Sequence, residues 1–364
     1  MHLYEEQSLD MTSLFIVFDS GSIYERPGRF GTMHLMEHMV CKNFEDMLDE
    51  LQENGIVYNA YTSDSHVVFW FKGLERRLSP RKKELTDRVL GGFRSTVEML
   101  DSEKKVVVEE YLDNFNDQII GNYYNTMRMV YNSHGAIGLR EDIEAFTHED
   151  ALEVYGEFFT KPVRIVEVGP TKTDFSDIEF SAPGIPSSDD FGEYGNSIEE
   201  VNVNNKLSVI GIGKVKCKQD EYPILNLGMN IIGAGLNSPL YQEIRDKRGL
   251  SYFSWSDCQD YGDFVLPIFG SCTEKDRIDD LVGVYYDIFA DITKHMSEER
   301  FDICKNQLMV ILEKRKVLRY DNPEDLINKD GLYKLENLDS IKFEDVVNVM
   351  TKYVNADTIE LVVA

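Results

Sequence analysis

Cysteine is scarce and badly placed for cross-linking: the five in 364 residues, Cys41, Cys217, Cys258, Cys272 and Cys304, are odd in number, far apart and never in CxxC spacing. That pattern argues against a disulfide framework and a thiolate zinc centre, and it makes a reducing compartment, the cytoplasm, the expected location. Long apolar runs are missing too. Nowhere do about 18 uncharged apolar residues follow one another, and Met1 to Asp10 has no basic patch leading into an apolar stretch, so neither a spanning helix nor an export signal is expected. Positive charge is short as well, with 38 Lys and Arg against 65 Asp and Glu and a net charge of −27. Nucleic acid and anionic membrane surfaces recruit proteins through Lys and Arg, so neither is an expected partner. The acidity serves solubility or, where it lines an interior, favours basic peptides.

What the chain does have is core material. Hydrophobic residues make up 42% and aromatics 11%, too much for a disordered chain. The length exceeds one usual core, so two domains of roughly 180 residues are expected. Between them, SAPGIPSSDDFGEYGNS (181–197) is rich in Pro, Gly and Ser and reads as a linker, which leaves domains at 1–180 and 198–364.

The two halves repeat a pattern. FTHEDALEVYGEFFTKPVRIVEV, starting at Phe146, predicts a helix followed by a strand, and KFEDVVNVMTKYVNADTIELVV, starting at Lys342, predicts the same. Each places Glu-Asp at the helix start, Glu149 and Asp150 then Glu344 and Asp345, where the helix dipole favours negative charge. The apolar runs Leu14 to Phe18 and Leu207 to Ile212 each predict a buried opening strand. Two copies of one α/β unit would explain these matches.

The segment GTMHLMEHMV carries His34 and His38 four apart, which on a helix stack on one face and can give two imidazole nitrogens to one ion. Glu37 beside them is placed to take a proton from a metal-activated water without binding the metal. This is the H-x-x-E-H order of inverted zinc peptidases. A catalytic zinc needs a third protein ligand. DSEKKVVVEEYLDNF (101–115) is the candidate segment, a helix with cap-forming Asp101 and Ser102 and an apolar stripe through Val106, Val107, Tyr111 and Phe115. On periodicity alone Glu103, Glu109 or Glu110 could be that ligand. GIG at Gly211 and GAG at Gly233 supply neither GxGxxG nor a P-loop lysine, so phosphate or dinucleotide binding is not expected. His66 reads as a surface residue of a hairpin, VYNAYTSDSHVVFWF, and not as a ligand.

With these segments in view, the chain resembles the M16 metallopeptidases, the group of insulin-degrading enzyme, pitrilysin and the mitochondrial processing peptidase. LFIVFDSGSIYE (14–25) is similar to the strand and turn ahead of their metal helix, and HLMEH follows in place. NAYTS (59–63) looks like their substrate-pairing edge strand, and EKKVVVEE (103–110) like their second metal helix. GAGLNSPLYQEIRDKRGLSY (233–252) resembles their second-domain signature, with Arg245 and Tyr252 seven apart. The resemblance runs from about Leu14 to the last strand. Departures are a His38-to-Glu110 interval (110 − 38 = 72) a few residues shorter than usual, a trimmed region after Lys42, Thr32 and Met33 ahead of the first His, and an abbreviated start, Met1 to Ser13.

The resemblance implies an α+β fold of two tandem, similar α/β domains, each a mixed and mostly antiparallel sheet covered by helices. It implies one Zn2+ per chain on His34, His38 and Glu110, with Glu103 as supporting partner and Glu37 as base. Arg245 and Tyr252 would grip the substrate backbone and steady the developing oxyanion, and Asn59, Ala60, Tyr61 and Thr62 would pair with an extended peptide. The expected function is a zinc-dependent endopeptidase acting on unfolded or extended peptides, working as a homodimer with Arg245 and Tyr252 acting across the interface. The alternatives are a non-catalytic subunit of the same fold that binds peptides or serves assembly, and a zinc hydrolase acting on something other than peptides.

Overall fold

Strand periodicity places the core. The computed structural model of the chain describes residues 1–116, 134–182, 206–260, 264–317, 319–321, 324–327 and 335–363. The first sheet contains β1 (His2–Glu6), β2 (Met11–Phe18), β3 (Val57–Thr62), β4 (Val67–Leu74) and β5 (Arg164–Gly169), in the order β1-β5-β2-β4-β3. Only the β1–β5 pair is parallel. Because side chains alternate across a strand, β2 splits its apolar residues between two clusters. Leu14, Ile16 and Phe18 join Val67, Phe69 and Phe71 of β4 on the helix-covered face. Phe15 and Val17 join Val68 and Val166 on the other. Each fully buried Leu or Phe contributes about 1.5–3 kcal/mol, so a one-residue slip of β2, which would exchange the two sets, is strongly disfavoured.

The second sheet contains β6 (Lys206–Gly213), β7 (Cys217–Lys218), β8 (Ser254–Asp260), β9 (Phe264–Glu274) and β10 (Ile359–Val363), all antiparallel. Val265 of β9 pairs with both Cys217 and Asp260, so β7 and β8 lie on opposite edges of β9. The order β10-β6-β9-β8 then repeats β5-β2-β4-β3. The helix-then-strand repeat recurs with its caps. The Asp150 carboxylate accepts the Thr147 backbone N–H at 3.0 Å, and Asp345 accepts that of Lys342 at 3.0 Å. The fold is thus two similar α/β sheets covered by helices, as the sequence predicts.

The chain divides into two compact units, neither of them one continuous stretch: Met1–Asp113 with Ser133–Phe191 and Val317–Lys329, and Asn114–Asn132 with Gly192–Lys316 and Asp330–Ala364. All but the first two residues of the expected linker 181–197 lie outside the described residues. The excursion 317–329 has no counterpart in the sequence reading. Its short helix Glu324–Ile327 sets Leu326 and Ile327 against Phe15, Val68 and Val166, covering the face of the first sheet opposite the helices. Asp321 accepts from the Lys72 ammonium at 2.9 Å, and Arg319 pairs with Glu5 of β1. All five cysteines are free thiols. No described helix is long and apolar enough to cross a membrane.

Candidate metal centre

The helix α1 (Thr32–Cys41) begins at Gly31, whose φ of 88° lies in the left-handed region that glycine tolerates. A Cβ on nearby Gly138 would fall 2.1 Å from the Gly31 Cα, so the two backbones meet only because both residues are glycine. Gly31 has no side chain with which to cap, and Glu25 does so from outside the helix. Its carboxylate accepts the Gly31 N–H at 2.8 Å and the Met33 N–H at 2.7 Å, while Asp142 accepts that of Phe30 at 2.9 Å. Two carboxyl groups thus satisfy donors the helix leaves open at the positive end of its dipole, and those bonds oppose the burial that pushes Glu25 up to about 8. Leu35, Met36, Met39 and Val40 are fully buried, which fixes the rotation of α1. That rotation brings His34 and His38 together, ring centroids 4.9 Å apart and edge to face.

The second helix, Val97–Asn116, starts four residues before the expected cap. The Thr96 hydroxyl accepts the Met99 N–H at 3.3 Å, and Asp101 and Ser102 are exposed helical residues. Leu100, Val107 and Tyr111 form its buried stripe, whereas Val106, expected in that stripe, is 42% exposed. The side chain of Phe115 lies outside the described residues. Glu109 is exposed, and Glu110 turns toward α1: its Oε2 is 3.4 Å from His34 Nε2 and 3.9 Å from His38 Nε2. One donor atom from each of the three residues lies within 4.8 Å of the others. Ligand atoms around a tetrahedral zinc, each about 2.0–2.2 Å from it, stand roughly 3.3–3.6 Å apart, so the 3.4 Å between His34 and Glu110 matches such an ion, and His38, at 3.9 Å from Glu110, would draw in to complete the set. Among the described residues no other group of His, Cys, Asp and Glu converges in this way.

Glu103, one turn pair below Glu110, holds His38 from behind. Its Oε2 is 3.0 Å from His38 Nδ1 and its Oε1 is 2.9 Å from the Lys42 ammonium. With Nδ1–H donating to that carboxylate, the Nε2 lone pair is left facing Glu110. Burial acts to raise the Glu103 carboxyl, but hydrogen bonds from Lys42 and His38 outweigh it and hold the group below the usual range. Burial and the neighbouring His38 push the His34 imidazole down to about 4, which keeps it neutral, the form in which a histidine can bind a cation. The Glu37 carboxyl is 7% exposed, and burial pushes it up to about 6 against the hydrogen bond it accepts from Thr62 at 2.7 Å.

The remaining expected residues fall in two places. Asn59, Ala60, Tyr61 and Thr62 lie on β3, an edge of the first sheet, with Ala60 and Thr62 half-buried and Asn59 and Tyr61 exposed. Arg245 and Tyr252 meet in the second unit, where the guanidinium lies 4.6 Å from the Tyr252 ring centroid and 4.8 Å from that of Tyr241. Tyr252 is 81% exposed. His66 is not the surface residue that the hairpin pattern predicts. It packs among Ser65 (2.6 Å), Asp19 (3.1 Å) and Arg164 (2.8 Å), and it does not join the metal cluster. Sequence reasoning missed Glu25, Lys42 and the Thr62 hydroxyl's contact with Glu37. A signal existed for Glu25, an acid just ahead of a glycine-started helix.

Fold and cluster together define a two-unit α+β protein with a convergent His34, His38 and Glu110 group in its first unit. The model of the insulinase family, peptidase family M16, matches residues 2–118, and one described as the peptidase M16 inactive domain matches residues 171–308. The chain belongs to the M16 peptidase family. It is 24% identical to an uncharacterized zinc protease of Rickettsia felis over 99% of this chain and 94% of the relative. To the uncharacterized zinc protease YmxG of Bacillus subtilis it is 23% identical, over 81% and 77%. To the mitochondrial-processing peptidase subunit beta of Dictyostelium discoideum it is 19% identical, over 64% and 50%. Among solved structures, a protease from Helicobacter pylori shares the fold with a TM-score of 0.82 at 18% identity, over 100% of this chain and 96% of that one. A chain of Complex III2 from Candida albicans shares it at 0.77 and 13%, over 100% and 93%.

Proposed function

We propose that this chain is a zinc-dependent endopeptidase that hydrolyses extended or unfolded peptides. The observation that carries the reading is the convergence of His34, His38 and Glu110 within 4.8 Å beside the buried carboxylate of Glu37. His34, His38 and Glu110 would hold one zinc per chain, and such an ion supplies acidification of water and polarisation of a carbonyl. Glu37 accepts the proton of the attacking water and returns it to the leaving amine, a task suited to a carboxyl raised to about 6. Glu103 keeps His38 turned toward the cation, and Lys42 keeps Glu103 charged.

The edge of β3 offers main-chain donors and acceptors to a peptide laid alongside, which explains why substrates would be extended and chosen with little regard to sequence. Arg245 and Tyr252 would bind the peptide backbone and the developing oxyanion from the second unit of a partner copy in a homodimer. Five free thiols suit a cytoplasmic setting. The names of the bacterial relatives support peptidase activity, whereas "inactive domain" is the description matched by residues 171–308, among whose described residues no ligand cluster forms.

Metal analysis and hydrolysis of quenched peptides, wild type beside Glu37→Gln, test the reading. Zinc in both proteins with turnover only in the wild type is expected. Zinc in both with no turnover in either supports a non-catalytic subunit instead. For the dimer, a mixture of Arg245→Ala and Glu37→Gln chains should regain activity that neither has alone, and no recovery would mean each chain acts by itself.

A further inference from the structure

Glu37 lies between α1 and β3, and its hydrogen-bond donor there is the hydroxyl of Thr62, whose Oγ1 stands 2.7 Å from Oε2. Along β3 the side chains alternate, with Val57, Asn59 and Tyr61 exposed and Tyr58, Ala60 and Thr62 half-buried. One strand therefore presents a hydrogen-bonding edge outward and a hydroxyl inward to the base. Its end is anchored. Ser63 N–H donates to His66 O at 2.8 Å, Ser22 N–H to Ser63 O at 3.1 Å and Ile23 N–H to Asp64 O at 3.0 Å. The Ser22 hydroxyl donates to Asp64 at 3.0 Å. A Cβ on Gly21 would come within 2.2 Å of Asp64 O, so the turn after β2 lies directly on the hairpin tip. Thr62 is consequently mounted on a fixed point, and a carboxylate bonded to it loses its freedom to rotate about the bond that carries it.

We propose that Thr62 is a positioning residue for Glu37. Its hydroxyl occupies Oε2, so that Oε1 is the oxygen that takes the proton from water and hands it to the leaving nitrogen. Because Thr62 belongs to the edge strand, the base is held in register with the peptide that pairs with that strand. Substrate alignment and base alignment then share one element, and a shift of β3 would disturb both together. The proposal rests on the peptidase reading above.

The test compares Thr62→Val, which keeps the branched shape and removes the hydroxyl, with Thr62→Ser, which keeps the hydroxyl. Losing the orienting bond should lower kcat about 10- to 100-fold in Thr62→Val, with KM and zinc content within about twofold of wild type. Thr62→Ser should return kcat to within about threefold, and adding Thr62→Val to Glu37→Gln should slow it no further, since the two act through one group. An unchanged kcat in Thr62→Val beside an active wild type overturns this proposal and leaves the peptidase reading intact. A raised KM at constant kcat also overturns it, making Thr62 a peptide contact. A zinc-loaded wild type that hydrolyses no unfolded peptide overturns both. If Thr62→Val does not fold, equal kcat for Thr62→Ser and Thr62→Ala overturns the proposal.

Discussion

In the first unit α1 meets the edge strand β3 through a buried carboxylate and a hydroxyl, Glu37 and Thr62. In the second unit the helix Tyr222–Gly233 occupies the matching place ahead of edge strand β8, and there a serine hydroxyl meets helix backbone. Ser256 of β8 donates to Met229 O at 2.7 Å, and a Cβ on Gly233 would fall 2.0 Å from the Ser256 hydroxyl. Where α1 carries His34 and His38 four apart, this helix carries Asn226 and Asn230. Their side chains bond to each other at 3.2 Å, and Asn226 reaches Tyr222 at 3.1 Å. One sheet order supports two solutions: the first unit sets an ionisable group between helix and edge strand, and the second sets a serine hydroxyl against helix backbone. Neutral amides that satisfy each other also have no call on a cation.

The largest effect that could break this comparison is chemical. Glu37→Gln should lower kcat by about 10²- to 10⁴-fold with zinc retained, while Asn230→Ala stays within about threefold of wild type, as peptide hydrolysis assays would show. Comparable losses in both variants would mean that the helix Tyr222–Gly233, like α1, takes part in the chemistry.

A structural contrast comes next. The first unit contains a fully buried ion pair, Lys82 Nζ to Glu167 Oε1 at 3.2 Å, with His2 at 2.6 Å and Thr173 at 2.6 Å completing the Glu167 carboxylate. Glu167→Gln would strand the Lys82 ammonium, and a loss of about 3–5 kcal/mol in chemical denaturation is expected. Burial tends to raise the Glu167 carboxyl, but its hydrogen bonds prevail and hold it below the ordinary 4.5. Its ionised form is therefore favoured in the folded chain, and the stabilisation is present above pH 4.5 and lost as pH falls through the depressed value. Melting temperature in that acid range should fall more steeply in wild type than in Glu167→Gln.

Smaller effects sharpen the contrast at the metal set and at the second helix. Glu103→Gln weakens the partner that turns His38, and zinc affinity by competition with a chelator should fall about 10- to 100-fold. Gly233→Ala pushes a methyl into β8 and should cost about 1–3 kcal/mol without altering zinc content. If Gly233→Ala proved neutral, the close approach that distinguishes the second unit would not be required.

Much of this was legible beforehand where a local rule governs it. The four-residue spacing of His34 and His38 requires one helical face, and the Glu-Asp pairs at 149–150 and 344–345 mark two helix starts. The capping of the second metal helix was misread, because Asp101 and Ser102 are good caps by type while Leu100, once buried, draws the helix four residues further back. His66 was misread for a similar reason: its hairpin gives no sign of Arg164, which arrives from a strand 98 positions away.

By itself the sequence determined the opening strand of each unit, the two helix-then-strand segments, the internal repeat and the two imidazoles on one face, all of which follow from periods of two and 3.6 residues. Periodicity left Glu103, Glu109 and Glu110 open and the resemblance pointed to Glu110; only the tertiary structure decided that Glu110 faces those imidazoles, that Thr62 meets Glu37, and that Leu326 and Ile327 return to cover the first sheet. These depend on how buried faces from distant segments rotate and dock against one another, and no local period records that.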